Sequence, residues 1–135
     1  LLGKLIPYFR AFPVHRGRVD RDAMRRAEEH LADGDLLCVF PEGGTTITGT
    51  LYPFEGGVAL LSIRNNVPVL PVAHNAGELW GKRQFLKHPG TITVVIGEPL
   101  PTALQDPADV LKNAQDWIET AQARILAAAR SGHSD

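Results

Sequence analysis

The feature that most constrains this chain lies near its C-terminal end. From Asp106-Pro107 onward, Val110, Leu111, Ala114, Trp117, Ile118, Ala121, Ile125 and Ala128 recur at three- and four-residue spacing. That period puts them on one stripe of a long helix, and such a stripe has to be laid against a core. Asp106 is a suitable cap, and Pro107 fits the first helical position, where no backbone N–H is needed. Trp117 falls within the stripe and reads as packing. The rest of the chain must therefore supply the other side of that core.

Helical and strand-like periods alternate through the preceding hundred or so residues, the pattern of an α/β domain. With 135 residues, 44% of them hydrophobic, the chain is expected to form one domain over 1–130 with a disordered tail at 131–135. A short strand is expected at Phe12–His15. Asp20 or Asp22 then caps a helix that carries Met24, Ala27 and Leu31 on one face and ends at Gly34. Leu36-Leu37-Cys38-Val39-Phe40 is apolar without alternation, which predicts a strand covered on both faces of a parallel sheet. Val58–Asn65 predicts a helix, apolar on most sides and stopped by Asn65-Asn66, residues that tolerate left-handed geometry. Val67–Ala73 reads as a short buried strand that Pro68 and Pro71 push toward an edge or a bulge. Thr91–Ile96 is β-branched enough for a further strand.

Charge and composition narrow the function classes. Residues 1–26 hold seven Lys or Arg against two Asp in a chain of net charge −1, with Tyr8, Phe9 and Phe12 interleaved. This basic region reads equally as a lipid-headgroup or phosphate face and as a solvated surface. The single cysteine, Cys38, sits in the apolar run and is expected to be a buried thiol. No disulfide can form within the chain, and no spacing of Cys and His suggests a metal site. No cofactor and no nucleic-acid partner are expected. The apolar runs are shorter than the roughly 20 residues a bilayer-crossing helix needs. The opening, Leu1-Leu2-Gly3-Lys4-Leu5-Ile6-Pro7, begins without Met inside an apolar segment and reads as the start of a fragment.

The candidate site follows the Leu36 run. Pro41-Glu42-Gly43-Gly44-Thr45-Thr46 places a carboxylate, two glycines and two hydroxyls at the carboxyl end of a strand, where open α/β sheets bind ligands. The glycines let backbone N–H groups approach an anion, and the threonines add donors. A plain turn between elements accounts for the same residues.

Phe40-Pro41-Glu42-Gly43 resembles the third block of the lysophospholipid and glycerolipid acyltransferase family, Phe-Pro-Glu-Gly-Thr-Arg-Ser. Leu51-Tyr52-Pro53-Phe54-Glu55-Gly56-Gly57 looks like its Pro-Phe-Lys-x-Gly stretch. Val67-Pro68-Val69-Leu70-Pro71-Val72-Ala73 resembles its fourth block, and Ile96-Gly97-Glu98-Pro99-Leu100 its late Ile-Gly-x-Pro turn. Val14-His15-Arg16 looks like the end of the second block. The stretch His74–Trp80 with Lys87-His88-Pro89-Gly90 is further similar to the bacterial 1-acylglycerol-3-phosphate branch of the family.

The resemblance implies an αβα-layered domain, N-terminally incomplete, with a long C-terminal helix. It implies transfer of a fatty acyl group from a CoA or carrier-protein thioester to a lysophospholipid hydroxyl at the cytoplasmic face of a membrane. Arg16 would hold the acceptor phosphate in a bidentate fork. Glu42, Gly43, Gly44, Thr45 and Thr46 would shape the acceptor pocket. The family's general base comes from an Asn-His-x-x-x-x-Asp block, and no Asn-His pair occurs in these 135 residues. His15 to Asp20 and His30 to Asp35 repeat the spacing, but neither histidine follows Asn. No catalytic residue is therefore assigned, and the 135 residues by themselves are expected to be inactive.

Two departures bear on the acceptor. Gly44-Thr45-Thr46 stands where the pattern has Thr-Arg-Ser, and Glu55 replaces a frequent lysine; both lower positive charge and leave room for another lipid, such as a lyso-ornithine lipid. A noncatalytic lipid- or phosphate-binding remnant is the competing reading. Lys82, Arg83, Lys87 and His88 form a basic stretch suited to CoA phosphates, a membrane surface or plain solvent. His74, alone after a strand, reads as structural or exposed.

Overall fold

A computed structural model describes residues 20–40, 56–81, 85–86, 88–103 and 105–131. The chain divides into two compact units, 1–38 and 39–135. The expected strand at Phe12–His15 and the tail at 132–135 lie outside the described residues.

In the first unit, α1 spans Arg21–Ala32. Asp20 is its cap: Oδ1 accepts from the Ala23 backbone N–H at 3.1 Å, and the Asp20 carbonyl accepts from Met24. The inward face is Ala23 and Ala27, with Met24 and Leu31 half-buried beside them. The helix ends in a Schellman motif. Gly34 turns left-handed at φ +81°, its N–H donates to the Leu31 carbonyl, and the Asp35 N–H reaches back to His30.

Beyond that turn the expected buried strand does not form. Residues 35–40 run without ladder partners among the described residues, and Leu36 and Phe40 are 84% and 71% exposed. Cys38 is exposed as well, so its thiol is not the buried one expected. Hydrophobicity makes a run suitable for a sheet interior, but only neighbouring strands can bury it, and none of the described residues pairs with this one.

In the second unit, α2 covers Gly57–Arg64 and also closes with a Schellman motif. Asn66 takes φ +50° and donates to Ile63, while Val67 donates to Ser62. Asparagine tolerates this geometry, as expected from Asn65-Asn66. The helix buries Ala59, Leu61 and Ser62, yet Leu60 is exposed; it is amphipathic where the sequence suggested burial on most sides.

Strand β1, Val72–His74, pairs antiparallel with β2, Val94–Ile96, in the register Val72↔Ile96, Ala73↔Val95, His74↔Val94. A separate bridge joins Val69 to Leu100. Three steps back from Val72 oppose four steps on from Ile96, so one extra residue is absorbed in the Gly97–Pro99 stretch as a bulge. Pro71 has no N–H to give, but its carbonyl accepts from Gly97 at 2.9 Å. The extra residue thus falls in the partner stretch and not in Val67–Ala73, where the prolines had suggested an edge or a bulge. Burial alternates from Pro71 to Asn75, so Val72 and Leu70 are exposed and the ribbon is buried on one face only, not throughout.

Buried side chains close both ends of this pairing. Asn75 donates from Nδ2 to the Thr91 carbonyl and accepts at Oδ1 from the Thr93 N–H, continuing the ladder past β1. At the other end Thr102 donates its hydroxyl to the Val67 carbonyl at 2.8 Å. A one-turn helix, α3 at Ala76–Leu79, follows β1.

Helix α4, Pro107–Ser131, covers the inward face. Asp106 caps it, Oδ1 accepting from Ala108 at 2.8 Å. Val110, Ala114, Ala121 and Ile125 are buried along the expected stripe, with Trp117 and Ile118 packed against the core around Ala73. α4 packs on both α2 and β1. The stripe fades after Ile125, and Ala128 is exposed. A Cβ at Gly97 would come within 2.5–2.6 Å of the Trp117 indole and 2.9 Å of Pro71 Cγ. Glycine at 97 is what lets the indole lie on the bulge.

Two stability measurements probe these points. Gly97→Ala should lower the unfolding free energy by about 1–3 kcal/mol through overpacking, with part of the loss recovered when Trp117→Leu is added in a double-mutant cycle by urea titration. Gly34→Ala, where nothing lies near the new methyl, should cost about 1–2 kcal/mol through backbone geometry alone, and Gly34→Asn less.

Candidate functional site

The residues expected to touch substrate, Arg16, Glu42, Gly43, Gly44, Thr45 and Thr46, all lie outside the described residues, as does His15. What the structure shows is their approach. α1 ends at the Gly34 turn, and residues 35–40 then run without regular secondary structure, immediately before Pro41-Glu42.

The second histidine-aspartate string is described completely. His30 and Asp35 occupy the third-from-last helical position and the second position past the cap of α1. A Schellman motif brings these two positions together, normally to make an apolar contact. Here the contact is polar: His30 Nδ1–H donates to Asp35 Oδ2 at 2.8 Å. The same loop carries the backbone bond from Asp35 N–H to the His30 carbonyl, 2.9 Å long. The five-residue separation that imitates a catalytic motif is thus also the separation a helix end of this kind requires. The two side chains keep 29% and 27% of their exposure, so solvent screens the pair and its contribution is below about 1 kcal/mol.

His74 is exposed at the end of β1, where its Nδ1 accepts from the Ala76 N–H at 3.2 Å. In the neutral ring the proton is then on Nε2. The residue helps turn the chain into α3, in keeping with a structural or exposed histidine. Lys82, Arg83 and Lys87 lie outside the described residues, while His88 is exposed and its backbone N–H donates to the Leu79 carbonyl at 2.9 Å. Among the described residues, no three His, Cys, Asp or Glu side chains gather as a metal site would require, and no helix is long and apolar enough to cross a membrane.

Two stretches singled out in the sequence prove to be a single structural unit. Val67–Ala73 and Ile96–Leu100 lie side by side through the Val69–Leu100 bridge and the Pro71–Gly97 bond. Their prolines and glycine serve the bulge and the seat of Trp117. Asn75 and Thr102, which hold that pairing at its ends, carry no sequence signal beyond being polar residues beside strands. Their importance comes from being 5% and 3% exposed with every buried side-chain polar atom partnered.

Comparison with known proteins agrees with this layout. Residues 1–75 match the family model described as Acyltransferase. The chain is 36% identical over 104 residues to the 1-acyl-sn-glycerol-3-phosphate acyltransferase of Pseudomonas aeruginosa, covering 75% of this chain and 40% of that protein. It is 32% identical over 73 residues to the human 1-acyl-sn-glycerol-3-phosphate acyltransferase beta, covering 53% of this chain and 26% of that protein. It superposes with a TM-score of 0.80 on the crystal structure of the 1-acyl-sn-glycerophosphate (LPA) acyltransferase PlsC from Thermotoga maritima. That match has 25% identity and covers 93% of this chain and 52% of the other. The chain therefore spans about half or less of the relatives it matches. With a family model covering more than half of its residues and an α/β fold shared with PlsC, the chain belongs to the acyltransferase family.

Proposed function

We propose that the protein containing this chain transfers a fatty acyl group from a CoA or carrier-protein thioester to the free hydroxyl of 1-acylglycerol-3-phosphate, yielding phosphatidic acid. The observation that carries this reading is the 36% identity over 104 residues to the Pseudomonas aeruginosa protein named for that reaction. In it, a histidine general base takes the acceptor hydroxyl proton as the oxygen attacks the thioester carbonyl. The tetrahedral intermediate collapses, the C–S bond breaks, and the thiolate leaves and is protonated. No covalent acyl-enzyme is needed.

In this reading Arg16 grips the acceptor phosphate with two parallel N–H donors. Glu42 organises the loop around it, and Gly43, Gly44, Thr45 and Thr46 present backbone and hydroxyl donors to the acceptor. The base belongs to an Asn-His-x-x-x-x-Asp block, which these 135 residues do not contain, and His15 and His30 are not that base. The reaction takes place at the cytoplasmic face of a membrane, where acceptor and product reside. A lyso-ornithine lipid acceptor is the second reading, favoured by Gly44-Thr45-Thr46 in place of Thr-Arg-Ser and by Glu55 in place of lysine.

The test uses the whole protein with acyl-CoA and either 1-acylglycerol-3-phosphate or lyso-ornithine lipid, following thiol release and identifying the product by mass spectrometry. Phosphatidic acid formation is expected; turnover of the ornithine lipid alone selects the second reading. Arg16→Ala should raise the acceptor KM about tenfold or more while leaving the acyl-donor KM nearly unchanged, the scale of a lost charge-assisted hydrogen bond. An unchanged acceptor KM removes Arg16 from the site. His30→Ala should leave kcat within about twofold, because its partner Asp35 serves a helix end of small energetic weight. Loss of turnover in that variant with the fold intact would make His30 the base.

A further inference from the structure

The ribbon of β1 and β2 has one face on α4 and one face toward solvent. On the outward face the register sets Val72 beside Ile96 and His74 beside Val94. Leu70 and Ile92 stand two residues before Val72 and Val94, so strand alternation carries the same face on through them. The five aliphatic side chains are between 40% and 64% exposed, and of these six residues only His74 is polar.

A contiguous apolar row of this kind differs from scattered surface hydrophobics, and it occupies a sheet face, which an α/β domain covers with a layer of helices. The opposite face shows what fits. A helix is about 10 Å across and neighbouring strands lie about 5 Å apart, so one apolar helical stripe covers both strands, as that of α4 does. The charge along these strands argues against lipid headgroups as the cover. No Lys or Arg occurs in 67–80 or in 88–111, where the charged residues are Glu78, Glu98, Asp106 and Asp109. An anionic bilayer gains nothing from a surface of that sign.

The relatives have chain to spare for a covering helix. The match to PlsC takes in 93% of this chain and 52% of the other, and the match to the Pseudomonas aeruginosa protein takes in 40% of it. We infer that the outward face of the ribbon is the seat of a helix from the same polypeptide, contributed by residues outside these 135, whose apolar stripe packs on Val72, Val94 and Ile96. The ribbon is then the middle layer between that helix and α4. This goes beyond the reaction proposed above and does not rest on it.

The experiment uses the whole protein, purified in detergent, with p-benzoylphenylalanine in place of Ile96. After irradiation the expected cross-link joins position 96 to a peptide of the same polypeptide outside these 135 residues, found by mass spectrometry in the monomer band. A cross-link to a peptide within the 135 residues, to a second copy or to detergent overturns the proposal, as does the absence of any cross-link. A smaller probe guards against disturbance by the bulky one. With Cys38→Ser and every other cysteine replaced, Val72→Cys should react with a maleimide about tenfold or more slower than Asn113→Cys on the exposed side of α4. Equal rates overturn the inference, and so does protection that is lost on dilution or that needs added vesicles. Absence of acyl transfer in the unsubstituted protein, with cross-link and protection intact, would sink the catalytic reading and leave this one standing.

Discussion

The contact on which the second unit depends is the indole of Trp117 lying on Gly97 and Pro71. A ribbon of two short strands cannot stand alone in water, because it lacks enough apolar surface to offset the entropy of ordering it. It becomes stable here by laying one face, Pro71, Ala73 and Val95, against the stripe of α4. The bulge at Gly97–Pro99 bends the second strand at the point where the ring needs room. The missing Cβ of residue 97 is what makes that room. From that seat the rest follows: the ribbon holds Asn75 and Thr102, Asn75 ties Thr91 and Thr93 to the end of β1, and α4 packs on α2.

Both described helices that precede an extended segment end in the same way. In each, a left-handed residue, Gly34 or Asn66, reverses the chain and two backbone bonds satisfy carbonyls that the helix leaves open. At α1 the motif also joins His30 to Asp35. The five-residue spacing of this histidine and aspartate therefore has a structural origin in the closing of the helix, and spacing alone does not mark a catalytic pair.

Family motifs divide between chemistry and architecture. Phe40-Pro41-Glu42-Gly43 leads into residues proposed to meet the acceptor, whereas Val67–Ala73 and Ile96–Leu100 hold each other and the last helix. Proline and glycine suit both tasks because each restricts or frees the backbone whatever the neighbours are.

The sequence by itself determined the three longer helices and where most of them end, though not the one-turn α3. The stripe of α4, the caps at Asp20 and Asp106, and the stops at Gly34 and Asn66 are local: each depends on residues within a few positions, and helix geometry is a short-range property. It also determined the family, because several blocks recur in order, and the α/β class. Tertiary structure alone decided burial. Leu36–Phe40 and Val67–Ala73 are equally apolar, yet the first is exposed and unpaired among the described residues, and the second is covered on one face. Whether an apolar run is buried depends on which distant segment comes to lie against it, and for Val67–Ala73 that was settled about 25 to 50 residues away, by the bulge at Gly97 and the indole of Trp117.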